Sequence, residues 1–544
     1  MGVEPLKKLE KFLWIIFALL GLVAMTGLLL LLLSDRFDRE ESSELLNNGE
    51  KDYNWEEGLS DSTIWLPKNC SLYSKLPDIS FEDKEGNVVH YDDFLGRPTV
   101  LLFWASWCND CKQQMSLMKD YMHLAETYGD VQFIFLNRLD GSKETRASAD
   151  AYFSELGLTV PCYYDLNEKV YETIGICNIP TMLFLDAEGR VISWSPKQIT
   201  DEAVFESYLQ ILFHGNSKIL EAFVTEQLMD ENGGIHTEYM AGNVEAVKES
   251  AVLSESQGLI MEYAALTQNQ ELFDVALDYV NRVMRPDKLV SWCVEKGEVS
   301  NVNALIDDFR IYSALLQAEE LWGGYEESIG SLQSALKEKV VTKNGYVDFY
   351  DLKNRQAADI LTLCYIDLET MEALSASDRA FKKAESQAKE LLLEGQISEE
   401  FPLYFCRYDY KEKAYSQDDL NMAEALVTLL HLAEADCLPE NTHQWLKKEM
   451  AQGGIMARYN IEGEIVDGYQ YESTAIYALL TLIGEELGDE ELQDQALRKM
   501  EKMRVLNTSL PYHGAFGLED GSGITSFDQL LPLLVYATLE NGLK

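Results

Sequence analysis

Positive charge is scarce in this chain. Its 544 residues hold 45 Lys and Arg against 92 Asp and Glu, a formal net charge of −47. Such a field repels nucleic acid and anionic lipid headgroups, so no nucleic-acid partner is expected. Histidine is rare, with seven residues, and no Cys/His cluster has the spacing of zinc ligands. Cysteine is sparse as well: nine residues, an odd count, are scattered over the whole length, unlike the dense framework of a small disulfide scaffold. No repeat of fixed period is visible, which argues against a short-repeat solenoid. What is present is apolar substance: 47% hydrophobic and 11% aromatic residues, enough for folded domains rather than disorder. The length calls for two or more cores.

One long hydrophobic run stands out. Phe12 to Leu33 is uncharged, long enough to cross a bilayer core of about 30 Å, preceded by Lys7, Lys8 and Lys11 and followed by Asp35, Asp38, Glu40 and Glu41. The basic flank places the amino terminus in the cytoplasm and the rest outside. A cleaved signal peptide would have an apolar core of roughly 7–15 residues and a small-x-small cleavage site; Ser34-Asp-Arg-Phe-Asp38 offers none. The expectation is a cytoplasmic tail over 1–11, a transmembrane anchor over 12–33 and an acidic stalk over 34–75, which makes a single-pass protein of the cell membrane with its domains extracytoplasmic.

From Leu76 a βαβ rhythm begins. Thr99 to Ala105, Val131 to Leu136 and Thr181 to Asp186 are short apolar runs typical of buried strands, and Asp201 to Phe213 reads as a closing helix. Between them lies Trp104-Ala-Ser-Trp107-Cys108-Asn-Asp-Cys111-Lys112, which follows a strand and opens a helix. A helix amino terminus offers free N–H groups and partial positive charge, both of which stabilise a thiolate at Cys108. The i, i+3 spacing puts Cys111 within disulfide reach as the resolving thiol. The alternatives are a structural disulfide or a zinc half-site, but no second cysteine pair has matching spacing.

Residues 76–214 resemble the membrane-tethered TlpA/ResA-type branch of the thioredoxin superfamily, through Leu76-Pro-Asp-Ile-Ser-Phe-Glu-Asp-Lys-Glu-Gly86, Trp104 to Lys112, and Ile179-Pro180-Thr181. The resemblance implies a cis peptide at Pro180 packed on the dithiol, support from Trp107, and thiol–disulfide exchange with a protein partner. The chain departs from the family at Asn109-Asp110, where proline is common, and at Gln114, where relatives often carry a proton-transferring glutamate. Asp110 should oppose the helix dipole at Cys108. Cys162 and Cys177 could form a second disulfide or remain two separate thiols.

After Ser217 strands give way to helical patterns, roughly a dozen over 217–544 with Arg355–Leu368 among them, which fits a toroid of paired helices. Ser254-Glu255-Ser256-Gln257-Gly258-Leu259-Ile260-Met261 resembles the Ser-Glu-Gly-Gln-x-x-x-Met segment of glycoside hydrolase family 8, inverting endo-glycanases with an (α/α)6 fold. The resemblance puts Glu255 at the general acid, Asp308 at a cleft aspartate, Trp292 at a substrate-facing tryptophan and Asp418 at the base, with Asp419 as the alternative. Ser256, Ile306 and Asn421 depart from the family's glycine, aspartate and arginine. On the residues alone, Glu255 could be a surface carboxylate, Asp308, Asp418 and Asp419 could be helix caps, and Trp292 could be core.

The expected molecule has three parts: an anchor, an α/β thioredoxin-like domain and an all-α (α/α)6-toroid domain. It needs no cofactor. Its partners are the membrane, a thiol or disulfide protein and a polysaccharide with β-linkages. A redox protein whose helical domain only binds a client or a glycan is the rival reading.

Overall fold

The computed structural model describes residues 67–543. The expected anchor at Phe12–Leu33 lies outside the described residues, and among the described ones no helix is long and apolar enough to cross a membrane.

A seven-stranded sheet organises the first module. Its strands are β1 (Ser80–Glu82), β2 (Val88–His90), β3 (Thr99–Trp104), β4 (Gln132–Leu139), β5 (Cys162–Leu166), β6 (Thr181–Leu185) and β7 (Val191–Ser195), in the order β2-β1-β5-β4-β3-β6-β7. β3, β4 and β5 are parallel, and β6 runs antiparallel to β3. Helices on both faces bury the central strand completely, so β3 reads as an unbroken apolar run. The helices are α1 (Asn109–Tyr128), α2 (Arg146–Leu156), α3 (Lys169–Ile174) and α4 (Glu202–His214).

The second module is a ring. Six inner helices touch in sequence and close on themselves: α6 (Ser254–Leu266), α8 (Leu305–Leu321), α10 (Leu368–Ser375), α12 (Met422–Glu434), α14 (Thr474–Glu486) and α16 (Ser526–Asn541). Between and outside them run α5 (Asn216–Phe223), α7 (Gln270–Tyr279), α9 (Glu326–Lys339), α11 (Arg379–Glu394), α13 (Glu440–Ala451) and α15 (Glu490–Glu501). Sequence explains the two layers. α14 buries ten of its thirteen residues, as a helix packed on every side must. α11 buries only Phe381, Ala384, Ala388 and Leu392, one stripe at helical spacing, and leaves its charged face to solvent.

Two expectations are corrected. Residues 67–75, read as the end of a stalk, pack on the redox module: Cys70, Leu72 and Tyr73 are buried, and the Tyr73 N–H donates to the Val191 carbonyl at 2.7 Å. Arg355–Leu368, read as a helix, holds short strands and a tight turn instead.

The modules also share a buried polar seam. The Arg504 side chain is 1% exposed; its guanidinium donates to Asn216 Oδ1 at 2.5 Å and to the Tyr536 hydroxyl at 3.1 Å, and it lies 3.7 Å from Glu501. Asn216 in turn donates to the Tyr73 hydroxyl at 2.7 Å and to the Ile192 carbonyl of the redox module at 3.2 Å. Removing one partner of such a network leaves uncompensated buried charge, at a cost of about 3–5 kcal/mol. Arg504→Ala should therefore lower stability by that order in denaturant melts, with both modules affected together.

Candidate functional site

At the redox centre Cys108 is the N-cap of α1, and its Sγ accepts the Cys111 N–H at 3.1 Å. Cys108 is 8% exposed and Cys111 0%, so only the first can meet a partner. The Cys111 thiol hydrogen-bonds to Cys108 and, with the backbone N–H groups of the helix start, brings the Cys108 thiol down to about 7, against burial and the Asp110 carboxylate. Burial and the donated hydrogen bond push Cys111 far up. The hydrogen bonds that reach Cys108, first that of the Cys111 thiol, thus outweigh Asp110. The Ile179–Pro180 bond is cis, and the Ile179 carbonyl lies 3.6 Å from Cys108 Sγ. Trp107 is 41% exposed beside the dithiol, with Lys143 Nζ 5.5 Å from its ring.

Gln114 is fully buried and braces a neighbouring loop, accepting the Ile199 N–H at 2.7 Å. A residue that sequence reasoning missed supports the motif from behind. Glu144 is fully buried and accepts from the Ser106 hydroxyl at 2.7 Å, the Ser106 N–H at 3.2 Å and Asn137 Nδ2 at 3.0 Å, which pins the loop that leads to Cys108. Cys162 and Cys177 stand as separate free thiols.

In the ring, hydrogen bonds tie the first turns of the inner helices to one mouth. The Ser254 hydroxyl of α6 donates to Asp307 of α8 at 2.6 Å, Ser256 of α6 meets Ser526 of α16 at 2.8 Å, and Asp528 of α16 accepts the Ala475 N–H of α14 at 3.0 Å. Glu255, in the first turn of α6, lies among these groups. Burial pushes its carboxyl up to about 7, helped by the negative charges of Asp307, Glu424 and Asp528 and opposed by Arg310. Asp307 is buried in an ion pair with Arg310 at 3.2 Å. Asp307, Arg310, Glu424 and Asp528 were not singled out from sequence, because their helices are far apart in the chain.

Trp292 is 44% exposed, and its carbonyl accepts the Ser254 N–H at 3.0 Å, next to Glu255. Asp308, expected to line the cleft, is instead fully buried: it accepts from Asn303 Nδ2 at 2.7 Å and the Val290 N–H at 3.2 Å, and it is Asp307 that turns toward Glu255. Asp418 is exposed on the approach to α12 and paired with Arg407 at 2.7 Å; Asp419 beside it is exposed too. Neither caps α12, a role that Asn421 takes. The carboxylate of this segment that acts on Glu255 is Glu424.

Residues 73–193 match the AhpC/TSA family. Over 143 residues the chain is 28% identical to thiol-disulfide oxidoreductase ResA of Bacillus thuringiensis, across 26% of this chain and 79% of that protein. The solved structure of an α-amylase from Clostridium perfringens is 31% identical, with a TM-score of 0.55, over 59% of this chain and 97% of its own. The helical part of the chain belongs to the same family as that protein. Endoglucanase Cel10 of Klebsiella pneumoniae, a family 8 glycosyl hydrolase, is 17% identical with a TM-score of 0.40, over 52% of this chain and 97% of its own. The molecule joins a thiol–disulfide oxidoreductase module, thioredoxin-like in fold, to a glycoside hydrolase-like helical module.

Proposed function

We propose that this is a membrane-anchored, extracytoplasmic protein whose ring hydrolyses a polysaccharide by inversion while its thioredoxin-like module exchanges disulfides with a protein partner. The observation that carries the hydrolase reading is Glu255. Its carboxyl keeps a proton near neutral pH, beside carboxylates on neighbouring inner helices. Inversion needs one protonated and one ionised carboxyl on opposite faces of the sugar, with water between them. Glu255 gives its proton to the leaving oxygen, and a carboxylate from the approach to α12 draws the proton from water. Asp418 is the base that the family resemblance suggests; Glu424 is the group in electrostatic reach of Glu255. Trp292 offers an exposed ring to a sugar beside the acid, and Asp308 supports the site from the core.

Reducing-end release tests the reading, with the anomer followed by NMR, on α-glucan, β-glucan, chitosan and native exopolysaccharide. The β-linked panel follows from the family 8 resemblance, and α-glucan from the amylase. An inverted anomer on any of them is the expected result. Retention of configuration would reject the mechanism, and neither cleavage nor binding would leave the ring as a client-docking scaffold. Protease added to intact cells should degrade everything beyond Leu33; full protection of an accessible surface would overturn the topology.

A further inference from the structure

All nine cysteines carry free thiols, and two outside the redox centre share a site. Cys364 and Cys406 line one narrow cavity together with Tyr404, Phe405, Asn421 and Glu424. They come from adjoining segments. β8 (Ile360–Thr362) runs antiparallel to β9 (Arg407–Asp409) with Thr362 opposite Arg407. Just past that pair the Leu363 N–H donates to the Cys406 carbonyl at 2.8 Å. Cys364 then turns off the strand into a tight helical turn, which takes it out of the strand alternation that would have faced it away. The thiols are close enough for the charge of one to act on the other. Cys364 is buried, whereas Cys406 is partly open, its Sγ 3.4 Å from the Asp419 carbonyl.

We propose that Cys364 and Cys406 are a second dithiol, which closes to a disulfide by exchange with an oxidised thioredoxin-type Cys-x-x-Cys pair such as Cys108–Cys111 of another copy. The Cys406 thiolate attacks the Cys108 sulfur; the Cys108–Cys111 bond breaks and Cys111 leaves, taking up a proton. Cys364, its proton lost to solvent, attacks the Cys406 sulfur and expels the Cys108 thiolate. Two electrons pass from Cys364 and Cys406 to Cys108 and Cys111, and the proton that Cys364 gives to solvent balances the one that Cys111 takes up. The second step releases the thiol of lower pKa, about 7, which makes it the better leaving group. Cys406, pushed up to about 11 by burial, and Cys364, pushed well up by burial, are poorer ones. The disulfide ties the turn at Leu363–Tyr365 to the segment that enters β9, on the cavity that Glu424 borders. The proposal depends on the exchange chemistry of the first module and not on the glycan reading.

The full chain, reduced and desalted, is equilibrated in glutathione buffers from reducing to oxidising, quenched in acid, alkylated with N-ethylmaleimide and digested with trypsin. Mass mapping should find residues 356–379 joined to residues 390–407 in most molecules at the oxidising end, with the link lost on adding dithiothreitol. In Cys364→Ser, Cys406 should stop as a mixed disulfide with glutathione. In Cys406→Ser, Cys364 should stay reduced, because it lies behind the open position. Oxidation of Cys108–Cys111 serves as the internal control. If that pair oxidises while Cys364 and Cys406 both carry maleimide at every poise, the proposal is overturned. A Cys406–glutathione adduct in the parent with no link to Cys364 overturns it equally, whether or not either variant folds.

Discussion

Glu255→Gln should lose about 10²–10⁴-fold in polysaccharide hydrolysis while sugar binding persists, since this is what general-acid catalysis commonly contributes. Glutamine keeps the shape and loses the proton, so the leaving group departs as an alkoxide. Melting should be held or slightly improved, because burial already disfavours a charge at this position. The parent's pH profile should carry the same signature. The acid works only while protonated, so kcat/KM falls as pH rises through about 7. In Asp418→Asn and Glu424→Gln the variant that removes the base should fall as far as Glu255→Gln, since an inverting reaction has no covalent intermediate to bypass it. The other should keep most of its activity. Disulfide exchange should be unchanged in all three. A Glu255→Gln protein that cleaves as fast as the parent would remove Glu255 from the role.

The second large effect belongs to Cys108. Cys108→Ser should abolish insulin reduction, because the sulfur that attacks is gone and Cys111 behind it is closed to partners. Cys111→Ser should retain the attack and trap mixed disulfides with client proteins. With the parent reduced, limiting iodoacetamide should label Cys108 first, at a rate that climbs through pH about 7 as the thiolate forms. First labelling at Cys111, or a rate that begins to climb only near the ordinary thiol range, would overturn the assignment.

The redox centre was legible in the sequence because its chemistry is local. One strand, one helix start and a spacing of three residues place Cys108 at an N-cap whatever the rest of the chain does. The mouth of the ring was only partly legible. Glu255 and Trp292 came through a motif, whereas Glu424 and Asp528 come within electrostatic reach of Glu255 because a closed ring brings distant helix starts together, and no window of sequence contains that fact. Asp307 and Asp308 are neighbours in one turn, so they point in different directions, and the linear motif could not say which of them faces the acid. The error over Arg355–Leu368 has the same origin. Its alanines and leucines suit a helix, but Ile360–Thr362 finds its hydrogen bonds on Arg407–Asp409, dozens of residues later. The segment at 67–75 looked like linker for want of a pattern, and it is held by Arg190 and Val191, at the start of the sheet's last strand in sequence.

Glu540 on the last helix accepts the Asn216 N–H at 2.7 Å, the Ser217 N–H at 3.2 Å and the Tyr73 hydroxyl at 3.3 Å. Tyr73 precedes it by 467 residues. A ribosome reaches Tyr73 early and Glu540 late, so the thioredoxin-like module emerges, and can begin to fold, long before its clasp exists. A chain that ends before Glu540 lacks the acceptor that joins Tyr73, Asn216 and Ser217, so this joint between the modules is completed only by the last helix.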